Sequence, residues 1–280
     1  ALPNQGLARI FDDDPLPGLS VNDVSINEGN SDSTNLVFTV SLSAPAENQF
    51  VFVDFSITNG TATAGTDFVA AAKSQLQFGF GETSATITVP IIGDNFDESD
   101  EETFSVTLTA SSGNAIISNP QGQGTIIDDD QLPTLTIGVA SIPEGNTDSS
   151  NSVFVVILSP ASGRVVTVDY AITNGTATAG IDYDGTNGML TFQPGEVSQP
   201  IPLLIKGDLL SEIDETLIVN LSSPTNAVLG TTSQGVVTIQ NDDDLPVLSI
   251  SSTSLLEGNS GTNNAVFTVT LSPASGQTVT

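Results

Sequence analysis

The side chains in this sequence that could do chemistry are carboxylates, and they come in runs. Asp94, Asp97, Glu98, Asp100, Glu101 and Glu102 crowd one stretch, and Asp128, Asp129 and Asp130 follow it. A second set holds Asp208, Glu212, Asp214 and Glu215, then Asp242, Asp243 and Asp244. Glu28, Asp67, Glu144 and Asp182 stand apart in the chain. Carboxylates can work as an acid–base pair, as in glycoside hydrolysis. A larger group can instead supply the roughly six to eight oxygens that a calcium ion takes. The sequence has no His and no Cys. That removes imidazole bases, thiol nucleophiles, disulfides and the usual zinc, copper or haem sites. Nothing in the pattern resembles a substrate cleft, so no enzyme is expected.

Charge narrows the partners. Across 280 residues, 33 acids face 4 Lys and Arg, a formal net charge of -29. Nucleic acids and anionic membrane surfaces both need basic patches, so neither is expected as a partner. No apolar run approaches a membrane span, so no direct membrane insertion is expected. An export signal would have to lie outside these residues. The 38% of hydrophobic residues alternate with polar ones, which argues for folded strands rather than an acidic disordered chain.

The elements that must position the acids come in repeats. Glu28-Gly29-Asn30 returns as Glu144-Gly145-Asn146 and as Glu257-Gly258-Asn259, 116 and then 113 residues further on. The run Asn59 to Gly65 recurs intact from Asn174 to Gly180. Residues 1–14 read as the tail of a preceding repeat, with a last strand at Leu7 to Phe11. Residues 19–130 and 135–244 read as two complete repeats, and 248–280 as an incomplete one. Incomplete ends would pair with neighbouring repeats or with identical chains.

Within a repeat the period is two: Leu36, Phe38, Val40 and Leu42, or Val51, Val53, Phe55 and Ile57. That predicts half-buried antiparallel strands. Seven are expected in the first repeat, at 19–26, 36–43, 50–57, 75–80, 84–92, 103–109 and 122–127. Seven short strands in about 110 residues predict an all-β fold of tandem immunoglobulin-like antiparallel β-sandwiches. Phe55, Tyr170 and Phe192 fall on core positions. Asn-Gly-Thr at 59–61 and 174–176 reads as a turn rather than a glycosylation site.

Label the strands A to G. The A–B, C–D and E–F loops and the segment after G then share one pole. In the first repeat that pole collects Glu28, Asp32, Asp67, the E–F acids and the Asp128 to Asp130 run, and leaves Glu47 and Glu82 opposite. In the second it collects Glu144, Asp148, Asp182, Asp184, Asp208, Glu212, Asp214, Glu215 and Asp242 to Asp244, with Glu196 opposite. A lone acidic run is an ordinary solvated surface. Several converging on one pole repel strongly, and no Lys or Arg is expected among them. A hard divalent cation offsets that repulsion. Calcium suits irregular loops better than magnesium, which demands strict octahedral geometry. The spacing is neither that of an EF-hand nor that of the glycine-rich nonapeptide repeat.

The run Val53-Asp54-Phe55 … Asn59 to Phe68, and its counterpart Val168-Asp169-Tyr170 … Asn174 to Tyr183, resemble the Calx-beta motif. So do Phe192-Gln193-Pro194-Gly195-Glu196, Asp214-Glu215-Thr216-Leu217 and the terminal Asp runs. The resemblance implies calcium ligands at Glu28, Asp67, Asp94, Glu98, Glu102, Asp128, Asp129 and Asp130. In the second repeat it implies Glu144, Asp182, Asp208, Glu212, Glu215, Asp242 and Asp243. Three departures stand out. Gly93 and Gly207 open the E–F loops where the family often has Asp; Asn241 replaces the first terminal Asp; and Glu98 and Ser99 compete for one place. The family occurs in sodium/calcium exchangers as regulatory domains, in an integrin subunit, and in arrays on bacterial surface proteins. The function expected is an extracellular or cell-surface, calcium-stiffened stalk, adhesin or filament of a secreted bacterial protein. The alternative is a calcium-sensing regulatory module of a larger membrane protein.

Overall fold

The computed structural model describes residues 8–9, 13–46, 49–70, 75–147 and 149–280. Of the expected strand at Leu7 to Phe11 only residues 8–9 are described, and they are not in a strand; the acids Asp12, Glu47 and Asp148 lie outside the described residues. The described residues are all-β, and among them no helix is long and apolar enough to cross a membrane. The chain forms two compact units, residues 1–131 and 132–280.

The first unit contains β1 (Gly18–Val21), β2 (Val24–Asn27), β3 (Ser33–Leu42), β4 (Val51–Asn59), β5 (Gln75–Phe78), β6 (Ser84–Ile92), β7 (Glu101–Ser111), β8 (Ile116–Asn119) and β9 (Gln121–Ile127). One sheet runs β6-β3-β1-β8 and the other β2-β9-β7-β4-β5. Their inward side chains, among them Leu19, Phe38, Val53, Phe78, Val89, Phe104 and Ile126, form one core. Two sheets closing on one core make the sandwich, and alternation along each strand sends the polar partners outward.

The expected first strand is divided, and the division moves the chain between sheets. Asn22 stays with the first sheet: its N–H donates to Thr39 O at 3.3 Å, and its Oδ1 accepts from Thr39 N at 2.7 Å. Asp23 already belongs to the second: its Oδ1 accepts from Gln123 N at 2.7 Å. The expected purely antiparallel pairing also needs correcting. β1 pairs parallel with β8, and β2 pairs parallel with β9. The first and seventh strands of an alternating chain run in the same direction, so where they meet they must pair parallel.

The second unit repeats the plan with β10 (Thr134–Ile137), β11 (Val139–Pro143), β12 (Ser149–Ser159), β13 (Val166–Asn174), β14 (Tyr183–Asp184), β15 (Gly188–Phe192), β16 (Ser198–Lys206), β17 (Glu215–Thr225), β18 (Val228–Leu229) and β19 (Gln234–Gln240). Its sheets run β14-β16-β12-β10-β18 and β11-β19-β17-β13-β15. The expected core aromatics Phe55, Tyr170 and Phe192 are all buried. Beyond them, β20 (Val247–Ile250) and β21 (Val269–Ser272) form a two-stranded ribbon. Its apolar side chains Leu248, Ile250 and Val269, and Val266 and Phe267 just before β21, remain exposed.

Candidate metal centre

Three loops and one strand exit build each acidic pole. Glu28 N donates to Ile127 O at 3.0 Å, which carries the β2–β9 pairing one residue past the strand and turns Glu28 inward, to 4% exposure. Gly29 then takes φ +81°, a left-handed value open to glycine and costly for other residues. That turn aims Gly29 N at Asp129 Oδ1, 3.0 Å away, while Asn27 Nδ2 donates to Asp129 Oδ2 at 3.2 Å. Asn30 Nδ2 donates to Asp130 Oδ1. The recurring Glu-Gly-Asn thus clasps the terminal Asp run.

The C–D loop is anchored from below. Phe68 is 1% exposed and stacks on Phe104, ring centroids 4.4 Å apart. The residue before it, Asp67, is therefore held at the rim. Its Oδ2 accepts from Thr63 N at 2.6 Å, and its carbonyl accepts from Ile92 N at 3.0 Å. Asn59 Oδ1 closes the same loop by accepting from Ala64 N at 3.2 Å, the turn expected at Asn-Gly-Thr.

The E–F loop opens at Gly93, whose N–H donates to Asp32 O at 3.0 Å. A Cβ at residue 93 would collide with the carbonyl oxygens of Glu28 and Gly29. The glycine at this position lets the E–F backbone press against the A–B loop. Gly207 meets Glu144 and Gly145 in the same way. Further along, Glu98 N donates to Asp128 Oδ2 at 3.3 Å, and its counterpart Glu212 N donates to Asn241 Oδ1 at 2.9 Å. Of the competing Glu98 and Ser99, Glu98 is the residue that matches Glu212.

These loops bring Glu28, Asp128 and Asp130 together, and beside them Asp67, Glu98 and Glu102. Within each group one carboxylate oxygen per residue lies within 4.8 Å of the others. Two oxygens each about 2.4 Å from one calcium ion can be no further apart than about 4.8 Å. In the second unit Asp182, Glu212 and Glu215 form the matching group. Glu144 and Asp243 have no third carboxylate at position 241, where Asn241 turns its Nδ2 to Asp243 O at 3.2 Å.

Electrostatics at the poles is unfavourable for bare anions. Burial, then Glu98, Asp128, Asp94 and Asp130, pushes Glu28 up to about 8. Burial, then Asp67 and Asp94, pushes Glu98 to about 7. Glu102 rises to about 7 through burial, the Asp67 charge and a hydrogen bond with Asp67. Asp130 also rises, burial first. In the second unit Glu144 rises to about 7 through burial and Asp243, and Glu215 to about 7 through burial and its contact with Asp182. Glu212 rises through burial and the charges of Asp208 and Asp182. Glu98 lies within electrostatic reach of both groups, so the first pole is one continuous cluster.

Among the described residues, four buried carboxylate oxygens lack a hydrogen-bond partner: Glu28 Oε1, Asp130 Oδ2, Glu144 Oε1 and Asp243 Oδ2. A buried acceptor without a donor costs about 1–3 kcal/mol, more if charged. Donors within the fold would have been the ordinary solution, and none among the described residues bonds these atoms. The residues present fit a hard cation with oxygen ligands.

Some expected ligands stand apart. Asp129 gives both oxygens to Asn27 and Gly29, and Asp242 Oδ1 accepts from Gly145 N at 3.1 Å, so these two brace the A–B turn. Asp94 Oδ1 accepts from Phe96 N at 2.7 Å, and Asp208 Oδ1 from Leu210 N at 2.6 Å; both lie close enough to raise their neighbours. A cation does sit beside the second pole, contrary to expectation. Lys206 Nζ lies 3.0 Å from Asp184 Oδ2 and donates to Gly180 O at 2.8 Å, tying down the C–D loop outside the three-carboxylate group. The clasping amides Asn30 and Asn146 were missed from sequence, although their fixed place after Glu-Gly marked them.

The family model of the Calx-beta domain matches residues 12–131 and again 128–243. The chain is 30% identical over 197 residues to sodium/calcium exchanger 1 of Rattus norvegicus, covering 62% of this chain and 20% of the exchanger. It is 33% identical over 186 residues to extracellular matrix protein 3 of Lytechinus variegatus, covering 62% of this chain and 6% of that protein. The chain thus spans a fifth or less of these relatives' lengths. Among solved structures, the calcium binding domain CBD12 of CALX1.1 aligns over 78% of this chain and 98% of its own, with 21% identity and a TM-score of 0.37.

Proposed function

Because the chain belongs to the Calx-beta domain family, we propose that its repeats bind calcium at their acidic poles and act as a structural, non-catalytic part of an extracellular or cell-surface protein. Glu28 carries the reading. It is 4% exposed, faces Asp128 and Asp130, and has an oxygen without a donor. One calcium ion is assigned to Glu28, Asp128 and Asp130, and a second to Asp67, Glu98 and Glu102, with Asp94 between them. In the second repeat Asp182, Glu212 and Glu215 hold one ion. Glu144, Asp243 and Asp208 offer a weaker place, because Asn241 presents an amide. Asp129 and Asp242 act as braces. Bound calcium replaces repulsion among loops with shared attraction and so stiffens each pole.

A second reading, a calcium-sensing regulatory module, is favoured by the exchanger relatives. Likeness to an extracellular matrix protein favours the structural one. Affinity separates them: extracellular modules bind at about 10⁻⁴–10⁻³ M and sensors at about 10⁻⁷–10⁻⁵ M. The structural reading expects calorimetric titration to give a value in the weaker range. It also expects the melting temperature to rise with calcium, by the equivalent of about 0.4–1.4 kcal/mol at 1 mM for Kd of about 10⁻³–10⁻⁴ M. A melting temperature indifferent to calcium and chelator rules out both readings.

A further inference from the structure

The loop that carries Glu212 is in contact with the chain that follows its repeat. Ser275 forms an isolated parallel bridge with Ser211, and Gly276 N donates to Ser211 O at 3.2 Å. Ser211 is 2% exposed and directly precedes Glu212. A Cβ built on Gly276 would come within 2.7 Å of Glu212 Cγ and 2.9 Å of its Cδ. The bare Cα of residue 276 therefore leaves the space that the Glu212 side chain occupies.

The contacting turn has its own internal shape. Gln277 N donates to Ser275 Oγ at 3.1 Å. The same Pro-Ala-Ser-Gly sequence stands at residues 160–163, where Arg164 N donates to Ser162 Oγ at 3.0 Å. The turn thus forms in two settings from the same four residues, a local structure held by an ST-type hydrogen bond. Its contact with Ser211 uses main-chain groups, so docking asks little of the sequence beyond a glycine at residue 276.

We propose that the Pro-Ala-Ser-Gly turn at residues 273–276 is a docking element for the E–F loop of the preceding repeat, and that Gly276 sets the position of Glu212. This rests on the calcium reading of the second repeat. Docking confines Glu212 beside Asp182 and Glu215, so an ion there and the docked turn favour each other. Linkage makes that coupling reciprocal.

The test uses the whole chain, with Glu98→Gln and Glu102→Gln lowering the background from the first repeat. Amide hydrogen exchange is followed in calcium and in chelator. Slower exchange at Gly276 in calcium is expected. Gly276→Val should abolish that protection and weaken calcium binding to the second repeat by about fivefold or more. Gln277→Pro, which removes the donor to Ser275 Oγ without adding bulk beside Glu212, should weaken it in the same direction. Melting of the second repeat in chelator should stay unchanged in both variants, since neither touches its core. Calcium protection at Asp182 to Glu215 with unchanged exchange at Gly276, or unaltered affinity in both variants, overturns the docking proposal alone. Absence of any calcium effect overturns the calcium reading, and this proposal with it.

Discussion

At the scale of single residues, the poles place acids where folding alone does not favour them. Glu28 has an ordinary value of 4.5 and rises to about 8 in the fold. A group raised on folding contributes stability that is fully present below its unfolded value. That contribution is lost as pH climbs through its folded value. The metal-free protein should therefore melt higher at pH 5 than at pH 9, with the loss accumulating steadily from the ordinary value of 4.5 up to about 7–8 and levelling off above it. Calcium should flatten or reverse that slope, because it binds the deprotonated acids. Melting curves in chelator that do not change with pH would contradict this picture. Asn241 offers a gain-of-function check. Asn241→Asp should complete, with Glu144 and Asp243, the counterpart of the Glu28, Asp128 and Asp130 group, and raise the calcium count of the second repeat by one on titration. An unchanged count would mean that Glu144 and Asp243 are orphaned for another reason.

At the scale of elements, each pole depends on close approach between loops. The E–F backbone reaches the A–B loop only because Gly93 and Gly207 carry no side chain. Gly93→Ala should destabilise the first repeat by about 1–3 kcal/mol, the usual cost of overpacking a fitted contact. It should also weaken calcium binding there, since the A–B loop that aims Glu28 must move. Chemical denaturation with and without calcium reads both effects. A neutral Gly93→Ala would show that the two loops tolerate separation. The divided first strand matters to the same geometry. Only its second half, β2, lies beside β9 and extends that pairing into Glu28.

For the whole molecule, two cores predict two thermal responses. Phe104 is fully buried, stacks on Phe68 and meets Phe38 edge-on at 5.9 Å. Phe104→Ala should cost the first unit about 3–5 kcal/mol. In chelator, calorimetry should show one transition lowered and the other in place. A single transition shifted as a whole would mean that the two units melt together.

The sequence by itself determined the period-two strands, the repeat spacing and the family, because alternation and turn residues act over short distances along the chain. It also marked the acids of both poles, since loop order in an alternating sandwich decides which loops share an end. Which acids face each other was decided by tertiary structure alone. Asp128, Asp129 and Asp130 are chemically identical neighbours. Yet Asp129 is taken by Asn27 and Gly29, while Asp128 and Asp130 turn toward Glu28. Glu98 prevails over Ser99 because its N–H reaches Asp128 across the pole. The parallel pairings of β1 and β2, and Lys206 beside Asp184, likewise depend on residues far apart in sequence. Such distinctions rest on hydrogen-bond directions and burial, which exist only once the loops have met.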